Sequence, residues 1–411
     1  MHLGQRTTEE ELGHVEYDLP WDAEIDTPAT IAVVGGGRAG IEATLYARFL
    51  GYDVQLYERR RPGKQWDSLR DWPMNGTWEQ ETSPLGRAAL VAQDTPLEVD
   101  LNARPSFAEY VDRYLLPLAK TDLVYDCVQI QTEVRSISRL EPWRLATTEE
   151  ERWSEQEFRV LVASSTRGEY VQRADIVLDC SGHSLRLGLG PGGGAAAGQQ
   201  AVTDDELASS WLQRAERPNV AAGQRCILWG NQPDAVQCAM RLAEAEGTGQ
   251  SPWLWLVPHA SPESHDAWSH LPTVLADAAL RIATRPPSDR WACLPILGVE
   301  RVTRQQDGLW HLLVRRTVEE TVELTAGGLI VDFPHAPDWS FSAPLFAACQ
   351  RTLPVLGLPP VLTSQPHYYV LGAKGDGRAR SEFRRTMEHI RTVFALVGGR
   401  ADLDLYQTVA G

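Results

Sequence analysis

Long apolar runs are missing from this 411-residue sequence. Nowhere do about 18 or more consecutive apolar residues occur, so no membrane-spanning helix is expected. The opening stretch MHLGQRTTEEELGHVEYDLPWDAE is acidic and lacks the apolar centre that a secretory signal needs. Clustered positive charge is missing too. The 39 Lys and Arg are scattered and outnumbered by 55 Asp and Glu, a formal net charge of −16, which argues against binding to nucleic-acid backbones or anionic membrane surfaces. The six cysteines, Cys127, Cys180, Cys226, Cys238, Cys293 and Cys349, form no C-x-x-C pair. Neither a redox dithiol nor a zinc half-site is therefore expected, and they read as buried packing residues in a reducing cytoplasm. No H-E-x-x-H, EF-hand or clustered His/Asp pattern occurs, so no metal is expected. What remains is a cytoplasmic protein with a small-molecule substrate and no nucleic-acid or membrane partner. A protein partner or a homo-oligomer stays open.

With 43% hydrophobic residues the chain can bury a sizeable core, and at roughly 100–200 residues per domain it should fold as two or three units. Residues 1–28 are polar and aperiodic, an N-terminal arm. From Thr30, IAVV reads as a strand, GGGRAG as a turn, IEATLYARFLGY as a helix and DVQLYE as a second strand: a βαβ unit. The stretch 59–105 is rich in Pro, Gly, Trp and charge and reads as one long covering loop. An amphipathic helix with Ser106 as N-cap is expected over 106–121. Residues 126–173 alternate as an antiparallel layer, and ADIVLDCSGH is a buried parallel strand entering a turn. LGLGPGGGAAAGQQ is either low-complexity loop or a close approach to a ligand. A second βαβ pattern starts at Cys226, with strand CILW, a helix from Pro233 to about Glu246 and strand WLWLV at 253–257. The expected class is α/β: a Rossmann-like dinucleotide-binding domain over 29–205 and 341–411, with a second, degenerate α/β domain of the same type inserted at 206–340.

The first turn fits G-x-G-x-x-G with Gly35, Gly37 and Gly40, directly after a strand and opening a helix. Gly35 permits the tight turn, Gly37 lets a pyrophosphate approach the backbone, and Gly40 lets helix and strand pack closely. The helix start, with Ala39 and the cation of Arg38, offers free N–H groups and a partial positive charge. Glu58 closes the next strand, roughly 20 residues beyond the turn, where an acid accepts bonds from ribose hydroxyls. A carboxylate there repels a 2′-phosphate, so FAD or NAD fits better than NADP.

IAVVGGGRAG…YERRRPGKQW, then TEVRSI, ADIVLDCSGH and HYYVLGAKGDG…HIRTVFALVGG resemble, in this order, the FAD-binding segments of flavoproteins with two dinucleotide-binding domains. That group includes flavin monooxygenases, N-hydroxylating monooxygenases and pyridine nucleotide-disulfide reductases. The likeness covers about 30–205 and 340–411. It implies FAD as cofactor, with Arg59, Gly63, Gln65 and Trp66 along the pyrophosphate and flavin, the Val134 backbone at adenine and Gly182 over the diphosphate. It also implies Gly372, Ala373, Lys374 and Asp376 at the ribityl and isoalloxazine, and a following helix whose N-terminus faces the flavin pyrimidine. The F-x-G-x-x-x-H-x-x-x-[YF] run of flavin-containing and Baeyer–Villiger monooxygenases is absent, as is the dithiol of the disulfide reductases.

In the second turn, GNQPDA, Gly230 stands in place of Gly35, Gln232 of Gly37 and Ala235 of Gly40. Alanine is nearly as small as glycine, but the Gln232 side chain projects where a pyrophosphate would approach. Pro233 suits helix initiation, while Asp234 in the first turn opposes phosphate. At about 5 Å and an effective dielectric near 20 that repulsion is on the order of 3 kcal/mol, roughly a hundredfold in affinity. Strand WLWLV ends without a ribose-binding acid or a phosphate-binding arginine, and His259 is the polar residue nearby. Use of NADH or NADPH is doubtful on this pattern.

His183 is a candidate acid/base after Gly182, against a satisfied turn histidine; Lys374 is a candidate contact to flavin or substrate, against a salt bridge to Asp376. Of the 14 tryptophans, Trp66, Trp72 and Trp78 fall in the long loop, where packing is the default and stacking on flavin the alternative. Three uses follow: a flavin monooxygenase-like enzyme acting on a small organic or amino-acid-derived substrate, an oxidase or dehydrogenase whose substrate reduces FAD directly, and a flavin-binding partner protein without turnover.

Overall fold

The computed structural model describes residue 19 and residues 21–140, 156–213, 223–244, 251–345, 361–376, 383–400 and 402–410. The β-branched run Thr30–Val34 forms β1, followed by helix α1 (Arg38–Phe49), β2 (Asp53–Glu58) and helix α2 (Pro84–Ala92). Next come β3 (Val128–Ile130), β4 (Thr132–Arg139), β5 (Phe158–Ser164), β6 (Gly168–Ala174), β7 (Ile176–Asp179) and β8 (Leu185–Arg186). The second unit holds β9 (Cys226–Trp229), α3 (Pro233–Glu244), β10 (Trp253–Val257), α4 (Thr273–Thr284) and β11 (Trp291–Pro295). It continues with β12 (Gly298–Arg304), β13 (Trp310–Arg315), β14 (Thr321–Ala326), β15 (Gly328–Val331) and β16 (His335–Ala336). The chain then returns through β17 (Tyr368–Val370) and α5 (Phe383–Val397). Most of the predicted arm, Ser381 and Glu382 of the last predicted helix, Cys349 and the Asp376 side chain lie outside the described residues.

Two parallel sheets are built alike. The first runs β17-β7-β1-β2-β3 and the second β11-β10-β9-β15. The inner strands β1, β7 and β9, with β15 and β17, are buried on both faces because each face has a cover. In β1, Ile31 and Val33 pack toward α1 and α5, where Tyr46 stacks on Phe394 at 5.2 Å. Ala32 and Val34 pack the other way, onto the antiparallel sheet β4-β5-β6 through Val134, Phe158 and Val160. In β9, Leu228 joins the helical side, while Ile227 and Trp229 meet the antiparallel sheet β12-β13-β14. The period of two along a strand thus separates a helical layer from a sheet layer in both units.

The expected antiparallel layer over 126–173 is shorter than predicted. Gln131, at φ +52°, breaks the run, so β3 joins the first parallel sheet beside β2 and only β4 enters the antiparallel layer. The stretch 59–105 is not one loop. Ser83 accepts from the Gly86 N–H at 2.7 Å, Pro84 occupies the first helical position, and α2 follows. Ser106 caps its helix as predicted, accepting from the Glu109 N–H at 3.1 Å. The glycine-rich loop approaches protein rather than an open cleft: Val299 N–H donates to Leu189 at 2.8 Å, and Val302 N–H to Ala197 at 2.9 Å.

Inside the first unit Glu42 of α1 is only 1% exposed. Ser83, Tyr406 and Tyr114 surround its carboxyl, but none meets it in full hydrogen-bonding geometry. Burial pushes its pKa up to about 7 from 4.5. The folded protein therefore binds a proton that the unfolded chain releases, and stability falls as pH rises from about 4.5 through about 7. That difference corresponds to about 3 kcal/mol. Glu42→Gln is expected to remove this slope and to be the more stable protein at pH 8, read from urea midpoints of both proteins across the range. Parallel pH profiles would contradict it.

Candidate functional site

The first turn is assembled at the carboxyl ends of β1, β2, β7 and β17. Gly35 sits at φ +102°, and its N–H donates to the Tyr57 carbonyl at 2.8 Å. Gly40 packs on it so closely that an added Cβ would lie 1.9 Å from the Gly35 oxygen. Gly37 is the N-cap of α1, with no side chain capping it and no acid in the first turn. The positive end of α1 is therefore open to an anion. Gln65 covers this seat, its amide nitrogen 3.1 Å from where a Gly37 Cβ would stand. Gly63 adopts φ +76° and packs against Val111, while Trp66 meets Tyr110 edge-on at 5.5 Å and Phe107 at 5.8 Å.

Glu58 holds the turn itself. One carboxylate oxygen accepts from Gly36 N–H and the other from Arg60 N–H, both at 2.8 Å. A carboxylate has about four acceptor sites, so capacity remains for ribose hydroxyls. Arg38 departs from expectation: its guanidinium pairs with Glu81 at 2.6 Å and lies 5.4 Å from the Phe383 ring centre, so its charge is balanced within the protein. Val134 is buried in β4 at a bulge, in the cluster that includes Tyr57. Gly182, at φ +64°, faces open space, and Gly372, at φ +67°, sits 3.0 Å (as an added Cβ) from Ala39. The segments around 35–40, 180–183 and 371–374 thus converge. Arg59 is exposed beside Glu58.

The Lys374 ammonium is buried and engaged within the protein. Its ammonium donates to Asp179 at 2.6 Å, with both side chains fully buried, and to the Asp338 carbonyl at 2.5 Å. Tyr368 donates its hydroxyl to the same Asp179 oxygen at 2.6 Å, and Ser181 donates to the other at 2.6 Å. The rings of Trp339 and Phe341 close over the ammonium at 4.0 and 4.7 Å. This pair ties the end of β7, the return through β17 and the segment after β16 together. His183 is half-buried against the Ala373 backbone. Burial, then the charge of Lys374, holds its pKa below the ordinary value, so the ring is neutral at pH 7 and its Nε2 has no partner.

The second turn keeps its shape and has lost its vacancy. Gly230, at φ +128°, packs so that an added Cβ would meet the Asp332 carbonyl at 2.6 Å. Asp332 follows β15 and places its carboxylate on the start of α3, accepting from the Ala235 N–H at 2.7 Å. The Asp234 N–H faces the same group. Burial first, then Asp234, pushes Asp332 well above the usual carboxylate range, and burial likewise raises Asp234 against the influence of Ser68. Gln232 donates to Asn231 at 3.1 Å and lies 3.4 Å from His270, filling the approach. His259 accepts from the Ser261 N–H at 3.1 Å within its own turn. Further along α3, Gln237 accepts from the Trp72 indole at 3.0 Å and donates to the Ser68 carbonyl at 2.9 Å, stitching this end to the first unit. These residues do not fit a nicotinamide dinucleotide. Sequence reasoning identified Gln232 and Asp234; it missed Asp332, although an acid directly after a buried parallel strand was visible.

Trp66, Trp72 and Trp78 serve as packing: Trp78 is buried and stacks on Tyr110 at 6.4 Å, and Trp72 bridges the units. Burial pushes the Cys226 and Cys293 thiols up to about 12, and those of Cys180 and Cys238 up as well. Among the described residues no group of three His, Cys, Asp or Glu side chains is placed to hold a metal ion, and no helix is long and apolar enough to cross a membrane.

No family model matches the chain, and no curated protein sequence matches it. Solved structures do. One is an FAD-bound cadaverine monooxygenase of desferrioxamine biosynthesis, DfoA of Erwinia amylovora, at TM-score 0.61 and 11% identity, covering 92% of this chain and 96% of that one. Another is the ornithine hydroxylase PvdA of Pseudomonas aeruginosa, at TM-score 0.57 and 16% identity over 92% and 99%. A third is a flavin monooxygenase variant from Stenotrophomonas maltophilia, at 0.52 and 16% over 89% and 98%. With both parallel sheets, their antiparallel covers and the first glycine turn in place, the chain has the fold of the flavoproteins built from two dinucleotide-binding domains.

Proposed function

We propose that this protein is an FAD-dependent oxidoreductase acting on a small organic or amino-acid-derived substrate. The observation that carries the reading is the open start of α1, with Gly37 uncapped, no acid in the first turn and Glu58 beside it. There α1 would hold the diphosphate, Glu58 the ribose, and the Gly372–Ala373 backbone the ribityl side. FAD supplies the electron-transfer chemistry; the chain supplies orientation and charge. The similarity to cadaverine, ornithine and flavin monooxygenases supports a monooxygenase-like turnover, in which the two electrons for the flavin would come from a separate reductant rather than from a nicotinamide held at the second turn. Asp332 favours a second reading, in which the substrate itself reduces the flavin and the inserted domain acts as wall and lid.

Purified protein is expected to carry about one FAD per chain, identified after release by chromatography. Amino-acid-derived amines and acids, screened without oxygen, should then include one that bleaches the flavin on the second reading. A colourless protein that takes up no added FAD would contradict both.

A further inference from the structure

Residues 63–81 run over the first turn and are fixed at both ends to their own unit. Gly63 packs on Val111, and at the far end Glu81 accepts from Gly76 N–H at 3.2 Å and from Arg38, in the first turn of α1, at 2.6 Å. Near its start the segment winds into a short 3₁₀ turn, Lys64–Leu69, which carries Gln65 onto the Gly37 seat. Such turns have poor hydrogen-bond geometry and leave carbonyls over at their carboxyl end. The Arg70 and Trp72 carbonyls just beyond it accept from within the unit, from Ala108 N–H at 2.9 Å and Phe107 N–H at 3.0 Å. The Ser68 carbonyl accepts from the other unit, from Gln237 of α3.

Gln237 uses both ends of its amide on this segment. Its nitrogen donates to the Ser68 carbonyl at 2.9 Å and its oxygen accepts from the Trp72 indole at 3.0 Å. Asn75 makes a second crossing: its side-chain oxygen accepts from the Thr273 N–H at 3.0 Å and from the Thr273 hydroxyl at 3.2 Å. A residue of the first unit thereby caps α4, whose own cap position is Pro272 and offers no side-chain bond. Between the two crossings, Met74 is buried in one apolar cluster with Val236 and Ala239 of α3 and Leu275 of α4. On its other side α3 is pinned by Asp332, which accepts from the Ala235 N–H at 2.7 Å, two residues before Gln237. The helix of the closed turn thus connects the end of β15 to the segment that covers the open one.

We propose that Gln237 is a positioning residue for FAD: through Ser68 and Trp72 it holds the 3₁₀ turn that sets Gln65 over the diphosphate seat, so that the inserted unit serves as one wall of the flavin site. The assignment of FAD to that seat rests on the proposed function. Linkage makes the effect reciprocal. What α3 adds to FAD affinity, bound FAD returns as order in α3 and α4.

The test pairs FAD titration of flavin-free protein with amide hydrogen exchange. Gln237→Met keeps the length of the side chain and loses both bonds, Gln237→Glu keeps the acceptor for Trp72 and loses the donor to Ser68, and Asn75→Ala loses the second crossing. Without FAD, exchange across 64–72 in Gln237→Met, and at Thr273 in Asn75→Ala, is expected to quicken about tenfold. FAD should bind about tenfold more weakly to Gln237→Met, with Gln237→Glu between it and the parent, while riboflavin, which has no diphosphate, binds all of them alike. In the parent, FAD should slow exchange in 64–72 and, beyond it, at Thr273 and in the first turns of α3. In Gln237→Met the protection should remain in 64–69 and vanish from α3. Equal FAD affinity in parent and Gln237→Met, or protection that never reaches α3 in the parent, would overturn the positioning role. So would a variant that loses stability in urea while its ratio of FAD to riboflavin affinity stays at the parent value. Failure of the FAD reading shows separately, as a parent protein that takes up no FAD while flavin-free exchange still differs between parent and Gln237→Met.

Discussion

Lys374→Met should unfold in urea with about 3–5 kcal/mol less stability than the parent, because it strands the fully buried carboxylate of Asp179 without its cation. Tyr368 and Ser181 would still donate to that carboxylate, but hydrogen bonds alone do not replace a cation at 2.6 Å in a fully buried pair. The double variant Asp179→Asn with Lys374→Met removes the charge with its partner and should recover most of the loss, since replacing a whole buried pair is often neutral. A single variant within about 1 kcal/mol of the parent would show that Lys374 escapes to solvent and is free to act elsewhere.

Gly40→Ala is the second large effect, and it falls on flavin binding. The added methyl would stand 1.9 Å from the Gly35 oxygen, a backbone atom that cannot swing aside, so α1 must move off β1 and take its N-terminus out of line. FAD affinity should drop about a hundredfold or more, measured by flavin fluorescence on refilling flavin-free protein. In the second turn Ala235 holds the corresponding place and is fully buried, so the methyl is accommodated there. Gly51→Ala is the control. Gly51 has φ +93° but nothing within 4 Å of an added Cβ, so it should cost about 1–2 kcal/mol of stability and leave FAD binding intact.

What was legible in the sequence was whatever local spacing encodes. β1, α1, β2 and Glu58 follow from an apolar run, three glycines and an acid at a fixed offset, and β10 begins and ends where WLWLV does. α2 was legible in principle, since Ser83 and Pro84 are a capping signature, but the surrounding Gly, Pro and Trp masked it. The break at Gln131 was not, because its left-handed backbone comes from how β3 and β4 join different sheets. The least legible features are partnerships across the chain. Lys374 finds Asp179 at a separation of 195 residues, Arg38 finds Glu81 at 43, and Asp332 caps Ala235 at 97. Each is decided by which strand lies beside which, and a single sequence carries no periodic trace of that.

Asp332 bears most directly on how the protein works. A carboxylate on the start of α3 takes the two amides a pyrophosphate would need, while the matching end of α1 stays open. On the proposed function the two turns, alike in backbone, have opposite fates: one would hold FAD, the other is closed by the protein's own acid. Titrating the FAD-loaded protein with NADH and then NADPH, without oxygen, tests this at a single stroke. The flavin absorbance is expected to stay that of the oxidised form through a large excess of either nucleotide. Stoichiometric bleaching by one of them would show that the second turn still receives a nicotinamide dinucleotide and that the Asp332 seal does not hold.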